Sequence, residues 1–292
     1  MSSIPFIVDC HLHAHWPQRY AYSHPTGSRI EVSDIGLSAE ALFPTLSKHG
    51  VTHTLIIQPG AYGNDNQAML DAIAGSKGRA KGMAGMALDA SDEVFADLKR
   101  QGVVGTRLSL ITADSRFFER LEIGDFLARC KKHDFFVEVF AASATWPSIM
   151  PLLADSGVRV IVEHVAWPIT SQTLDQPGFQ DVLRYGRTSD AIIKVVSGFR
   201  LTQEGRPYED VKPFVMAAIE AFGPDRCIWG SDWPFLNPNN GPIKRPYPGT
   251  VEYSGELAPM MQWVPDDARR KILWETPARL FGFQEADAPS TH

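Results

Sequence analysis

Apolar runs and helical stripes alternate along the chain. Eight short apolar runs read as strands: 6–10, 54–58, 81–86, 104–109, 135–139, 158–163, 191–196 and 226–230. Several are continuous rather than alternating, as strands buried on both faces should be. Between them lie helical patterns, clearest at 208–222, where Val211, Phe214, Val215, Ala218, Ile219 and Phe222 form one stripe. Residues 64–74, 91–100, 123–132 and 268–281 also read as helices, and Gly50, Gly102, Gly157 and Gly223 stand where left-handed caps are expected. Strand and helix in alternation predict an α/β fold, a (β/α)8 TIM barrel. The competitor is an open doubly wound sheet. Its Gly-x-Gly-x-x-Gly marker after the first strand is absent, and Cys10-His-Leu-His stands there instead.

The barrel is expected to fill residues 1–283 as one domain, with 284–292 a disordered tail. Residues 16–35 and the Pro-, Gly- and Asn-rich stretch 238–255 are long enough to be lids.

Composition narrows the function. The chain has 292 residues, 44% hydrophobic and 21% charged, with a net charge of −6. No basic run or zinc-finger spacing points to nucleic acid, and no apolar window is long enough to predict a membrane span. Cys10, Cys130 and Cys227 are odd in number and far apart, so buried thiols are expected rather than disulfides. No signal peptide is evident at the N-terminus, and a cytoplasmic setting follows as an expectation.

A barrel carries its working groups at the C-terminal ends of its strands. His11 and His13 end the first, two apart and on one side. Gln58, Tyr62 and Asn64 follow the second, Arg107 lies on the fourth, and Glu138 on the fifth. The sixth ends in Glu163-His164, the seventh is followed by Arg200, and the eighth by Ser231-Asp232. Taken singly, each has a bland reading as a core histidine, a helix cap or a surface ion pair. Their order gives them meaning, because strands one, six and eight surround one mouth. His15, His24, His49, His53 and His133 read as structural residues of loops and helix ends.

At this point the chain resembles the amidohydrolase superfamily, in the branch of 2-pyrone-4,6-dicarboxylate lactonase and the sugar-acid lactonases. The matching segments are Val8-Asp-Cys-His-Leu-His13, Gln58-Pro-Gly-Ala-Tyr-Gly-Asn-Asp-Asn66, Gly105-Thr-Arg-Leu108, Glu163-His-Val-Ala-Trp-Pro168 and Trp229-Gly-Ser-Asp-Trp-Pro234. Glu275-Thr-Pro-Ala-Arg-Leu-Phe281 is similar to the family's ending. The resemblance implies hydrolysis of a small lactone, with Asp232 as general base and His11, His13 and His164 polarising the carbonyl. Arg107 and Arg200 match the family's substrate-binding arginines, and Gln58, Tyr62, Asn64, Glu138 and Trp167, at or after strand ends, complete the expected substrate-binding set.

Departures from the family refine this. The strand-four bridging residue and strand-five histidine of two-metal members are replaced by Arg107 and Glu138, so a binuclear zinc centre is not expected. The expectation is no required metal; the alternative is one zinc on His11, His13, His164 and Asp232. Trp167 and Ala113 stand where two family arginines would fall, with Arg116 out of register. An indole cannot replace a guanidinium fork, so a substrate with one carboxylate or a sugar lactone is favoured over the pyrone dicarboxylate. Trp16, Trp167 and Trp233 could stack on such a ring. A lactone isomerase, a metal-dependent decarboxylase and a non-catalytic binding barrel remain as alternatives. The partner expected is the small-molecule substrate, for a monomer or homo-oligomer.

Overall fold

The computed structural model describes residues 4–25, 27–111, 122–195, 198–236 and 251–289. Its strands are β1 (Val8–Leu12), β2 (His53–Ile57), β3 (Ala80–Ala84), β4 (Val103–Ser109), β5 (Phe136–Phe140), β6 (Arg159–Val162), β7 (Ile192–Lys194) and β8 (Cys227–Ile228). They pair in parallel in sequence order. Backbone bonds across the last seam close the barrel: Cys10 N–H to the Trp229 carbonyl at 2.8 Å, Asp232 N–H to that of His11 at 2.6 Å, and His13 N–H to that of Trp233 at 2.9 Å. Gly230 permits this closure, because a Cβ there would stand 2.4 Å from the His11 Cβ.

The helices outside the sheet are α1 (Ala39–Lys48), α2 (Gln67–Gly75), α3 (Asp92–Arg100), α4 (Glu122–Lys132), α5 (Trp146–Ser156), α6 (Phe179–Thr188), α7 (Gly198–Leu201), α8 (Lys212–Phe222), α9 (Tyr253–Trp263), α10 (Asp266–Arg270) and α11 (Thr276–Phe281). The (β/α)8 expectation is met, and each expected strand is present within a few residues. The helix expected over 268–281 is interrupted by a π turn at Lys271–Glu275. Pro277, which has no N–H to continue an i→i−4 ladder, stands just after it. Of the proposed lid at 238–255, residues 237–250 lie outside the described residues, and Tyr253–Gly255 begins α9 instead of a loop. Ala113, Arg116, Val196 and Ser197 also lie outside them. The expected disordered tail begins with order: Glu285–Asp287 forms a helical turn, and His53 Nε2 bonds the Gln284 carbonyl at 2.9 Å.

Alternation along the strands stacks the lumen in layers. Its lower part is apolar, with Val8, Cys10, Leu55, Ile57, Met83, Phe136, Ile161, Ile192 and Ile228 closed off by Phe281 and Phe283. Two residues further along three strands the same face becomes charged. Phe136 is followed by Glu138, Ile161 by Glu163 and Ile192 by Lys194, all fully buried. All three cysteines are buried free thiols, as expected. No helix among the described residues is long and apolar enough to cross a membrane.

Candidate active site

The charged layer supports a cavity of about 350 Å³ at the barrel mouth, lined by His13, His164, Asp232, Arg107, Arg200 and Trp167 among others. It falls near the small end of the range for small-molecule pockets. Ser109, Ile111, Phe140 and Leu236 contribute further wall, and His24, Gly27 and Ser28 contribute from the loop after β1. Gly27 lets that loop lie on the next one. Its φ is +101°, and a Cβ would come within 2.5 Å of the Ala61 nitrogen.

Asp232 is the centre of the arrangement. Its Oδ2 pairs with Arg200 Nε, while its buried Oδ1 has no hydrogen-bond partner among the described residues. Oδ1 lies 3.3 Å from His13 Nε2 and 3.8 Å from His11 Nε2. Burial opposes ionisation here, but Arg200 and the three histidines outweigh it and hold the carboxyl well below the usual range. The backbone at Asp232 is left-handed, with φ +63°, which turns the side chain back over the β1–β8 seam.

The histidines differ in their wiring. His13 donates Nδ1–H to the Ile57 carbonyl at 2.8 Å, leaving Nε2 toward the cavity. His11 is fully buried, with Nδ1 3.2 Å from Lys194 Nζ and 3.5 Å from Glu138 Oε1. Its Nε2 has no partner among the described residues. Burial first, then the Lys194 charge, holds His11 well below the ordinary imidazole value. His164 Nε2 stands 2.9 Å from Glu163 Oε1, and burial lowers this imidazole too.

His164 opens an unusual segment. His164, Val165, Ala166 and Trp167 have φ values of 48°, 52°, 58° and 50°, a complete left-handed turn without glycine. Such a conformation costs about 1–2 kcal/mol per L-residue, so the surroundings must enforce it. Ser143 does part of this, donating Oγ–H to the Ala166 carbonyl at 2.7 Å. The result places both His164 and Trp167 on the cavity wall, their rings 5.3 Å apart edge to face.

Beneath them lies an ion-pair network. Arg107 grips Glu163 with two N–H groups, at 2.8 and 2.5 Å, and lies over the Phe140 ring. Lys194 donates to Glu138 Oε2 at 2.7 Å. Burial pushes the Glu138 carboxyl up to about 8, with Lys194 working against the shift and neighbouring Glu163 adding to it. Arg107 and its neighbours overcome the burial of Glu163 and hold that carboxyl well below its usual value. Three basic side chains, Arg107, Lys194 and Arg200, thus meet three acidic ones, Glu163, Glu138 and Asp232, of which Glu163 and Asp232 are held ionised and Glu138 is pushed toward its protonated form.

Two groups within this layer could hold a metal ion by proximity: His11 with His164 and Asp232, and His11 with Glu138 and Glu163. The hydrogen bonding of His11, which both groups share, competes with a metal. A nitrogen beside an ammonium or a carboxylate has its proton settled by that partner. Lys194 makes His11 Nδ1 an acceptor, so His11 Nε2 carries a hydrogen where a metal would need a lone pair, while His164 Nε2 faces Glu163 and leaves its Nδ1 without a partner among the described residues. In the second group, His11 and Glu138 are already engaged by the Lys194 ammonium.

Of the residues singled out from sequence, His11, His13, His164, Asp232, Arg107, Arg200, Glu138 and Trp167 come together here. Gln58, Tyr62 and Asn64 do not line this cavity. Gln58 donates to the Gly63 and Asp65 carbonyls and braces the loop after β2. Tyr62 is fully buried, its hydroxyl accepting the Trp16 N–H at 2.9 Å. Asn64 is exposed and borders a neighbouring groove. Trp16 and Trp233 are not on the cavity wall either; Trp233 packs in the core. Two histidines read as structural, His15 and His24, do line it. His53 starts β2 rather than lying in a loop. Lys194 was not anticipated, although a lysine inside the apolar run 191–196 is itself a signal, since lysine is almost never fully buried unless paired.

Fold and site together are those of a (β/α)8 barrel with buried histidines and carboxyl groups at its mouth. The amidohydrolase family pattern matches residues 8–283, and the chain belongs to the amidohydrolase family. It is 25% identical over 292 residues to a 2-pyrone-4,6-dicarboxylate hydrolase of Comamonas testosteroni, covering 95% of this chain and 90% of that protein. It is 28% identical over 286 residues to a 4-sulfomuconolactone hydrolase of Rhizobium radiobacter, covering 94% and 89%. A Pseudomonas putida structure described as a 2-pyrone-4,6-dicarboxylic acid hydrolase shares the fold, with a TM-score of 0.82, 24% identity and coverage of 95% and 98%.

Proposed function

We propose that this chain opens a small lactone by hydrolysis without a required metal. The observation that carries the proposal is the unpartnered Asp232 Oδ1 at the cavity floor, beside the histidine Nε2 atoms. Water held by Oδ1 is placed to attack a carbonyl whose oxygen accepts from His11 Nε2–H. Arg200 weakens Asp232 as a base but fixes the angle of its carboxylate. Stabilisation of the developing oxyanion offsets that loss. The names of the two hydrolase relatives agree with this chemistry. The apolar walls, Phe140, Trp167, Ile111 and Leu236, suit a compact ring, and both lining arginines already face carboxylates. A substrate with one carboxylate or a sugar lactone therefore fits better than a dicarboxylate.

The deciding experiment is a lactone panel read by proton release, with products analysed from ¹⁸O-water. Label in the product acid supports hydrolysis. Rearrangement without label would make the enzyme an isomerase, and binding without turnover would reduce it to a binding barrel. Activity should survive exhaustive chelation; strict dependence on added zinc would overturn the metal-free reading.

The pH profile carries a second expectation. Asp232 works as a carboxylate and His11 and His164 as neutral imidazoles, and all three are shifted downward. Lowering the pH through 6.5 therefore leaves their working forms intact. The acid limb of kcat/KM is expected below 6.5, the ordinary histidine value. An acid limb at or above that value would contradict the assignment.

A further inference from the structure

We propose that Lys194 is a positioning residue, whose buried ammonium fixes His11 as the Nε2–H tautomer and so turns a hydrogen, not a lone pair, toward Asp232 on the cavity wall above it. The inference deepens the lactone-opening reading and rests on it for its kinetic consequence, though not for its geometry. Lys194 is fully buried on β7, facing β5 and β1 across the lumen. Its Nζ stands 2.7 Å from Glu138 Oε2 and 3.2 Å from His11 Nδ1. An ammonium has only hydrogens to offer. The His11 nitrogen facing it must supply a lone pair, so the ring's own hydrogen resides on Nε2. The other acceptor available to an Nδ1–H would be Glu138 Oε1, more distant at 3.5 Å.

The consequence reaches the chemistry through His11 alone. Nε2 is the atom that is buried, unpartnered and 3.8 Å from Asp232 Oδ1. With hydrogen on it, His11 donates to a substrate oxygen; without hydrogen, it would present a lone pair to the carboxylate. Lys194 thereby sets a positive charge against His11 and Glu138, two of the three residues that could otherwise gather around a cation.

The test begins with the unaltered protein. Long-range ¹H–¹⁵N spectra report the tautomer of each histidine, and His11→Gln identifies the His11 signals by their loss. The expected result is a protonated Nε2 and a bare Nδ1 on His11. A proton on Nδ1, alone or with Nε2, would overturn the proposal. In Lys194→Met the ring is expected to shift toward Nδ1–H, and kcat to fall about 10²-fold with KM within about twofold, the size of a lost oxyanion donor. A variant with unchanged kcat, or with an unchanged tautomer despite a lower kcat, would also overturn it. If Lys194→Met does not fold, the spectrum of the unaltered protein decides by itself. If the protein opens no lactone, the function reading fails while the tautomer measurement still judges the role of Lys194.

Discussion

Asp232→Asn is expected to lower kcat for lactone opening by about 10³-fold, within the range general-base catalysis supplies. The amide preserves shape but has no lone-pair charge to take a proton from water. It should also keep the fold. Asparagine tolerates the left-handed backbone found at this position, and the N–H bond to the His11 carbonyl at 2.6 Å is independent of the side chain. The measurement is steady-state kinetics alongside a thermal melt. A folded Asp232→Asn enzyme with a rate within tenfold of the parent would remove Asp232 from the role of base.

The second large effect concerns stability. Asp9 is fully buried under the β1–β8 seam, where its Oδ1 accepts the N–H groups of His11 at 3.0 Å and Ser231 at 2.9 Å. Its Oδ2 accepts the Tyr253 hydroxyl at 2.5 Å, which ties α9 to the barrel. Burial raises this carboxyl above the ordinary aspartate value, and the hydrogen bonds from Ser231, Tyr253 and His11 oppose that rise. Asp9→Ala would leave two backbone donors and a phenol without their acceptor. Each such loss costs about 1–3 kcal/mol, so a total of about 3–5 kcal/mol is expected. Tm should fall by roughly 10 °C. Asp9→Asn, which keeps an acceptor oxygen, should lose much less. Equal losses from both variants, or a change below about 1 kcal/mol in Asp9→Ala, would show that the seam is held by other contacts.

The barrel was legible because its strands are buried on both faces and interrupted by amphipathic stripes, a pattern local in sequence. His164 and Asp232 were also legible, since polar residues closing apolar runs are rare enough to notice, and Arg107 and Glu138 stood out inside theirs. Lys194 was passed over although it is placed like Arg107 and Glu138. It lies within such a run, and its partners Glu138 and His11 are contributed by strands far away in sequence. Only the closed register of the barrel brings them together. Gln58, Tyr62 and Asn64 stand off the main cavity wall because the loop after β2 folds back on its own carbonyls, a choice of partner that spacing does not encode, although Gln58 and Asn64 line a smaller pocket with Arg107 and Ser109. His15 was read as structural for a similar reason. It follows β1 and bonds the Tyr22 hydroxyl at 3.1 Å, yet the turn of the chain still presents its ring to the cavity.

The left-handed turn from His164 to Trp167 divides the mouth into two kinds of wall. On that side a proton-bearing imidazole and an indole ride on one stiff backbone unit, so neither can be re-aimed without moving the other. Accommodation of different rings is therefore expected from the rest of the rim, where His24, Gly27, Ser28, Ile111 and Leu236 reach in from loops after other strands. Efforts to change which lactone is accepted should diversify that rim and leave the turn intact, because substitutions in the turn would trade selectivity against the donor geometry itself.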